Sequence, residues 1–105
     1  MNTLRIGSGA GYSGDRIEPA VELAEPGDLD YLVFECLAGR TVALARQARL
    51  SGPQGGYDPL LAERMRRVLP FVGQRAGRRR LRVMTNMGAA NPLAAASQVR
   101  RIAGE

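Results

Sequence analysis

The residues best suited to chemistry fall at three places along the chain. Gly7, Gly9, Gly11 and Gly14 punctuate Gly7-Ser8-Gly9-Ala10-Gly11-Tyr12-Ser13-Gly14, with Asp15 and Arg16 directly behind. Backbone without Cβ lets amide N–H groups converge on an anion, and a guanidinium such as Arg16 adds charge-assisted hydrogen bonds. Gly9, Gly11 and Gly14 also fit the G-x-G-x-x-G spacing of a dinucleotide site, and Glu35 stands where its ribose-binding acid would fall. The same stretch serves equally as a loop with left-handed backbone at several glycines and Asp15 as a helix cap.

Glu35 follows the apolar run Tyr31-Leu32-Val33-Phe34 and is the leading catalytic candidate. A carboxyl at the end of a buried strand is desolvated, which raises its pKa toward general acid or base work. The structural alternative pairs it with Arg16, Arg40 or loop amides. Asn86, in Thr85-Asn86-Met87-Gly88, carries an amide able to orient a substrate carbonyl or bind an oxyanion, and is the second catalytic candidate. Cys36 has no His to activate it and reads as a small buried hydrophobe. The absence of His excludes a Ser-His-Asp hydrolase, and with a single Cys no metal ligand set is expected.

These residues need elements to hold them. Leu4 to Ile6 predicts a short strand that runs into the glycine stretch as a tight loop. Ile17, Ala20, Val21 and Ala24 recur at helical spacing around Pro19, and Pro26-Gly27 ends that helix. Tyr31–Phe34 predicts a strand buried on both faces, and Ala38 to Leu50 a second helix. Asp58-Pro59 predicts an N-cap and first helical residue for a long third helix bearing Leu61, Met65, Val68, Leu69 and Val72. Pro70 should either kink that helix near Arg66 or end it there, the continuing apolar spacing favouring the kink. Leu81 to Thr85 is a third strand. Asn91-Pro92 opens a last helix with Leu93, Ala96, Val99 and Ile102 inward. The order β-α-β-α-α-β-α predicts an α/β fold with a three-stranded, mostly parallel sheet. Residues 1–105 read as a single domain and as a piece of a larger Rossmann-like or barrel-like fold.

In both architectures ligands gather beyond the carboxyl ends of the strands. That places the glycine stretch, Glu35 and Asn86 on one edge, and the solvated turn Arg78-Arg79-Arg80 on the other. The chain carries a net charge of +5, yet all 15 basic residues are Arg and the aromatic residues are scattered, so a nucleic-acid partner is not expected. The polar start, the lone Cys and the lack of a long apolar run predict a cytoplasmic protein with no membrane partner. With a thin three-stranded sheet that reads as unfinished, the chain is expected to expose apolar surface and to self-associate or to need further carboxy-terminal sequence.

Four stretches resemble the acyclic terpene utilisation (AtuA) family. They are Arg5 to Arg16, Leu29 to Leu37, Gly56-Tyr57-Asp58-Pro59-Leu60 with Arg64-Met65, and Thr85 to Pro92. Family members are longer, and the resemblance covers their amino-terminal portion. It implies a part in bacterial catabolism of acyclic terpenes such as citronellol and geraniol, acting on or binding a branched acyl or acyl-CoA small molecule. The alternatives are a non-catalytic ligand-binding or assembly component and a dinucleotide-binding α/β fragment. No cofactor is identified.

Overall fold

The computed structural model describes residues 3–105. They form β1 (Ile6–Ala10), α1 (Glu18–Ala24), β2 (Tyr31–Phe34), α2 (Gly39–Ser51), α3 (Leu61–Val68), β3 (Arg82–Thr85) and α4 (Pro92–Ala103). The order is the expected β-α-β-α-α-β-α. The strands lie in the order β1-β2-β3 and both pairings are parallel, so all three carboxyl ends point to one edge.

β1 lies further along the chain than its apolar residues suggest. Gly7 pairs with Leu32, and the pairing steps from Ser8 to Ala10 across an irregularity at Gly9. Gly7 and Gly9 therefore belong to the sheet and not to a loop beyond it. The cause is packing: a Cβ on Gly7 would come within 2.6 Å of Leu29 Cδ1, and one on Gly9 within 2.7 Å of Phe34 Cε1. Glycine lets β1 lie close under large side chains.

Leu32 and Phe34 of β2 sit at the centre of the core. Ala20 and Ala24 of α1, Leu61, Met65 and Val68 of α3, and Ala95 and Ile102 of α4 close over them. In α4 the inward stripe is Ala95, Val99 and Ile102, at helical spacing. Leu93 and Ala96, expected inside, fall off that stripe, and Leu93 is 82% exposed.

The third helix also departs from expectation. It ends at Val68, and Leu69–Phe71 tightens into a 3-10 turn, because Pro70 has no N–H to continue the α ladder. Asp58 caps the turn before the helix: its Oδ1 accepts the Leu60 N–H at 2.8 Å, and α3 starts at Leu61.

At the amino-terminal edge of the strands, Arg79 is more than a solvated charge. Its Nη1 donates to Asp30 Oδ2 at 2.9 Å and to the Thr3 carbonyl at 3.3 Å. Arg78 Nη1 donates to the Pro26 carbonyl at 2.6 Å. The arginine turn thus stitches β3 to the segments entering β1 and β2.

Candidate functional site

The parallel sheet brings Glu35 and Asn86 together at its carboxyl edge, one strand apart. Asn86 Nδ2 donates to Glu35 Oε2, and Asn86 Oδ1 accepts the Cys36 N–H at 2.7 Å. The Leu37 N–H donates to Glu35 Oε1 at 2.9 Å. Glu35 is nonetheless exposed, against the expectation of a desolvated carboxyl. Strand alternation explains this: Leu32, Phe34 and Cys36 point into the core, so Glu35 points away from it. Its partners are loop groups, and neither Arg16 nor Arg40 bonds to it.

The glycine segment also ends at this edge. Of Gly7, Gly9, Gly11 and Gly14, Gly14 alone has left-handed backbone, at φ 88°. Asp15 does not cap α1, whose N-cap is Ile17. Its carboxylate instead accepts the N–H groups of Gly11 and Arg16, each at 2.8 Å. Those two amides, the first ahead of the second, hold the Asp15 carboxyl below its ordinary pKa. The segment has therefore turned two of its amides onto an acid of its own. Arg16 is exposed. As a dinucleotide fingerprint the spacing lacks its geometry, since Gly9 lies within β1 and α1 begins only at Glu18.

Between this edge and α2 lies a cavity of about 190 Å³. Leu37, Leu44, Ala45, Ala48, Pro59 and Ala89 make its apolar wall, and Ser13, Cys36, Thr41, Tyr57 and Asp58 complete it. α2 contributes a wall without joining the core, as none of its residues is buried. Asp58 is only 6% exposed, and its Oδ2 accepts the Ser13 hydroxyl at 2.9 Å. The backbone holds it in place, its N–H donating to the Met87 carbonyl at 2.8 Å. Burial, then the neighbouring Asp58 carboxylate, push the Cys36 thiol up to about 11, so it stays protonated at neutral pH.

Beside these groups Arg64 is fully buried. Its Nη2 donates to the Asp15 carbonyl at 2.9 Å, and its guanidinium carbon stands 5.9 Å from the centre of the Phe34 ring. Nε and Nη1 are buried without a partner among the described residues. Asn91, read as a cap, does cap α4: its Oδ1 accepts the Ala94 N–H at 3.4 Å while Nδ2 donates to the Pro53 and Gly55 carbonyls.

Sequence reasoning about site residues missed Ser13, Tyr57, Asp58 and Arg64. One signal was present, because the Gly56–Leu60 and Arg64-Met65 stretch stands among the four that carry the family resemblance. Another lies in the spacing: Arg64 occupies the inward row of Leu61, Met65 and Val68, where a charge is unexpected. Among the described residues no three His, Cys, Asp or Glu side chains gather to hold a metal ion, and no helix is long and apolar enough to cross a membrane.

No curated protein and no solved structure matches this chain. Residues 4–105, however, match the family described as acyclic terpene utilisation family protein AtuA. With nearly its whole length covered, the chain belongs to the AtuA family.

Proposed function

We propose that this chain serves acyclic terpene utilisation by holding the branched aliphatic chain of a terpenoid in the cavity between α2 and the carboxyl edge of the sheet. The observation that carries the reading is the cavity's make-up: aliphatic side chains around most of the wall, with Ser13, Thr41, Tyr57 and Asp58 as its few polar groups. Ligand sites commonly combine such a wall with a few placed polar groups. At about 190 Å³ the space is narrower than the ~300 Å³ at which drug-sized pockets begin, which suits a thin hydrocarbon and not a dinucleotide.

Filling the cavity tests this. Ala45 lies on α2, outside the core, so Ala45→Phe occupies the space without disturbing the packing over the sheet. Calorimetric titration with citronellol should show at least roughly tenfold weaker binding by the variant, with an unchanged circular dichroism spectrum. Equal affinity in variant and wild type would remove the cavity from consideration.

A second reading makes the chain part of an enzyme on a branched acyl-CoA ester. It is favoured by the Glu35–Asn86 hydrogen bond, which orients a carboxylate at the same strand edge. The glycine segment and Arg16 would then meet the charged part of the ligand outside the cavity.

A further inference from the structure

We propose that the cavity selects its ligand by head group, accepting a neutral alcohol hydroxyl and rejecting the carboxylate of the same skeleton. This rests on the reading of the cavity as a terpenoid site and adds the chemistry of the ligand's polar end.

Around Asp58 the polar side chains offer acceptors, while Tyr57 and the Cys36 thiol, which also line the cavity, carry donor hydrogens. Asp58 is the only charged side chain among the described residues lining the cavity. Its Oδ1 is engaged by the Leu60 N–H, while Oδ2 accepts one bond, from Ser13 Oγ, and retains a lone pair. Ser13 has given its single hydrogen to Asp58, and its oxygen keeps acceptor capacity. Thr41 is spent in the same way, since its hydroxyl donates to the Ala38 carbonyl at 2.9 Å. These three groups thus present acceptors and no free hydrogen. At Asp58 an alcohol brings a hydrogen to the open lone pair; a carboxylate brings only acceptors.

Charge acts in the same direction. A ligand carboxylate would lie against the poorly solvated Asp58 carboxylate, where repulsion is much stronger than in bulk water. Tyr57 and the protonated Cys36 thiol are uncharged and cannot neutralise a second anion. Arg64 is fully buried, does not line the cavity, and its charge already acts on the Asp15 carboxylate. At Cys36 the carboxylates of Asp58, Glu35 and Asp15 all favour the protonated thiol, and Arg64 alone opposes them. At the thiol the carboxylates therefore outweigh Arg64.

The test titrates the protein at neutral pH with a branched acyclic terpenoid alcohol and with the carboxylate of the same carbon skeleton. Wild type should favour the alcohol by on the order of tenfold or more. Asp58→Asn keeps an oxygen for the Leu60 N–H and removes the charge, so the preference should shrink toward parity. Ser13→Ala leaves the charge and the acceptor in place and should retain the preference, which decides the matter if Asp58→Asn does not fold. Equal binding of both ligands by wild type, an unchanged preference in folded Asp58→Asn, or its loss in Ser13→Ala overturns the selection while leaving the cavity a terpenoid site. Binding of neither ligand overturns the terpenoid reading as well.

Discussion

Arg64 shows how one residue can sit against its own solvation. Taking a guanidinium out of water costs several kcal/mol unless partners compensate. Here the compensation is a single carbonyl and the face of Phe34, with two nitrogens left unpartnered. No carboxylate lies within ion-pair distance of it among the described residues; Asp15 acts from further away. Arg64→Met, which keeps much of the volume and removes the charge, should therefore be neutral or stabilising by roughly 1–2 kcal/mol. Urea denaturation midpoints of the two proteins measure this, and a loss of stability beyond that range would show that the guanidinium is a net support of the fold. The residue was legible in part. Its position within the apolar row of α3 is visible in the sequence, but a search for apolar residues at helical spacing passes over a charge at that spacing. Asp58 was visible as a cap, yet its place in a cavity wall depends on Ser13, 45 residues away, and no local pattern encodes that contact.

At the scale of elements, apolar spacing located α1, α3 and α4, which bury side chains in a repeating pattern, and the unbroken apolar run located β2. α2, which buries none, was placed only as the stretch from Ala38 to Leu50. β1 escaped because two of its five residues are glycines, whose contribution is the room they leave for Leu29 and Phe34. The proline in the third helix was visible, but whether it would kink or end the helix depended on what packs beyond it. Glycine's two uses separate experimentally. Gly9→Ala drives a methyl into the Phe34 ring and should destabilise by about 1–3 kcal/mol, the usual range for overpacking. Gly11→Ala meets nothing nearer than Asp15 Oδ2 at 3.8 Å and has no left-handed backbone to strain, so its stability should stay close to wild type. Thermal melts of the pair distinguish the positions, and similar losses in both would mean that the segment is constrained as a whole and not by contact at Gly9.

Across the whole molecule, the candidate site and the polar ties between strand entries divide between the two edges of the sheet. α1, α3 and α4 cover the Leu32–Phe34 face, while Ile6, Ser8, Arg82 and Met84 on the opposite face are exposed. Parallel sheets are ordinarily covered on both faces, whereas here the described residues cover only one. The topology brought Glu35 and Asn86 to the carboxyl edge as the order of elements implied. At the amino-terminal edge Asp30 accepts the Arg5 N–H at 2.8 Å and the Arg79 guanidinium at 2.9 Å, joining the entries of all three strands. The Arg5 N–H first, and Arg79 after it, hold the Asp30 carboxyl below its ordinary pKa, and Asp15 is lowered in the glycine segment by its own amides. A carboxyl whose folded-state pKa is depressed stabilises the fold at pH values above its unfolded-state pKa, near 4, and loses that contribution as pH falls through the folded-state value. Stability should therefore decline as pH drops below about 4, at pH values where the arginines remain charged. Asp30→Asn cannot titrate, so it should be less stable than wild type at neutral pH and should show a shallower decline in acid. Denaturant titrations of both proteins from pH 6 to pH 2.5 read the two slopes. An identical acid dependence in the variant would mean that Asp30 contributes nothing through its charge and that the tie between the three strand entries is held by backbone bonds alone.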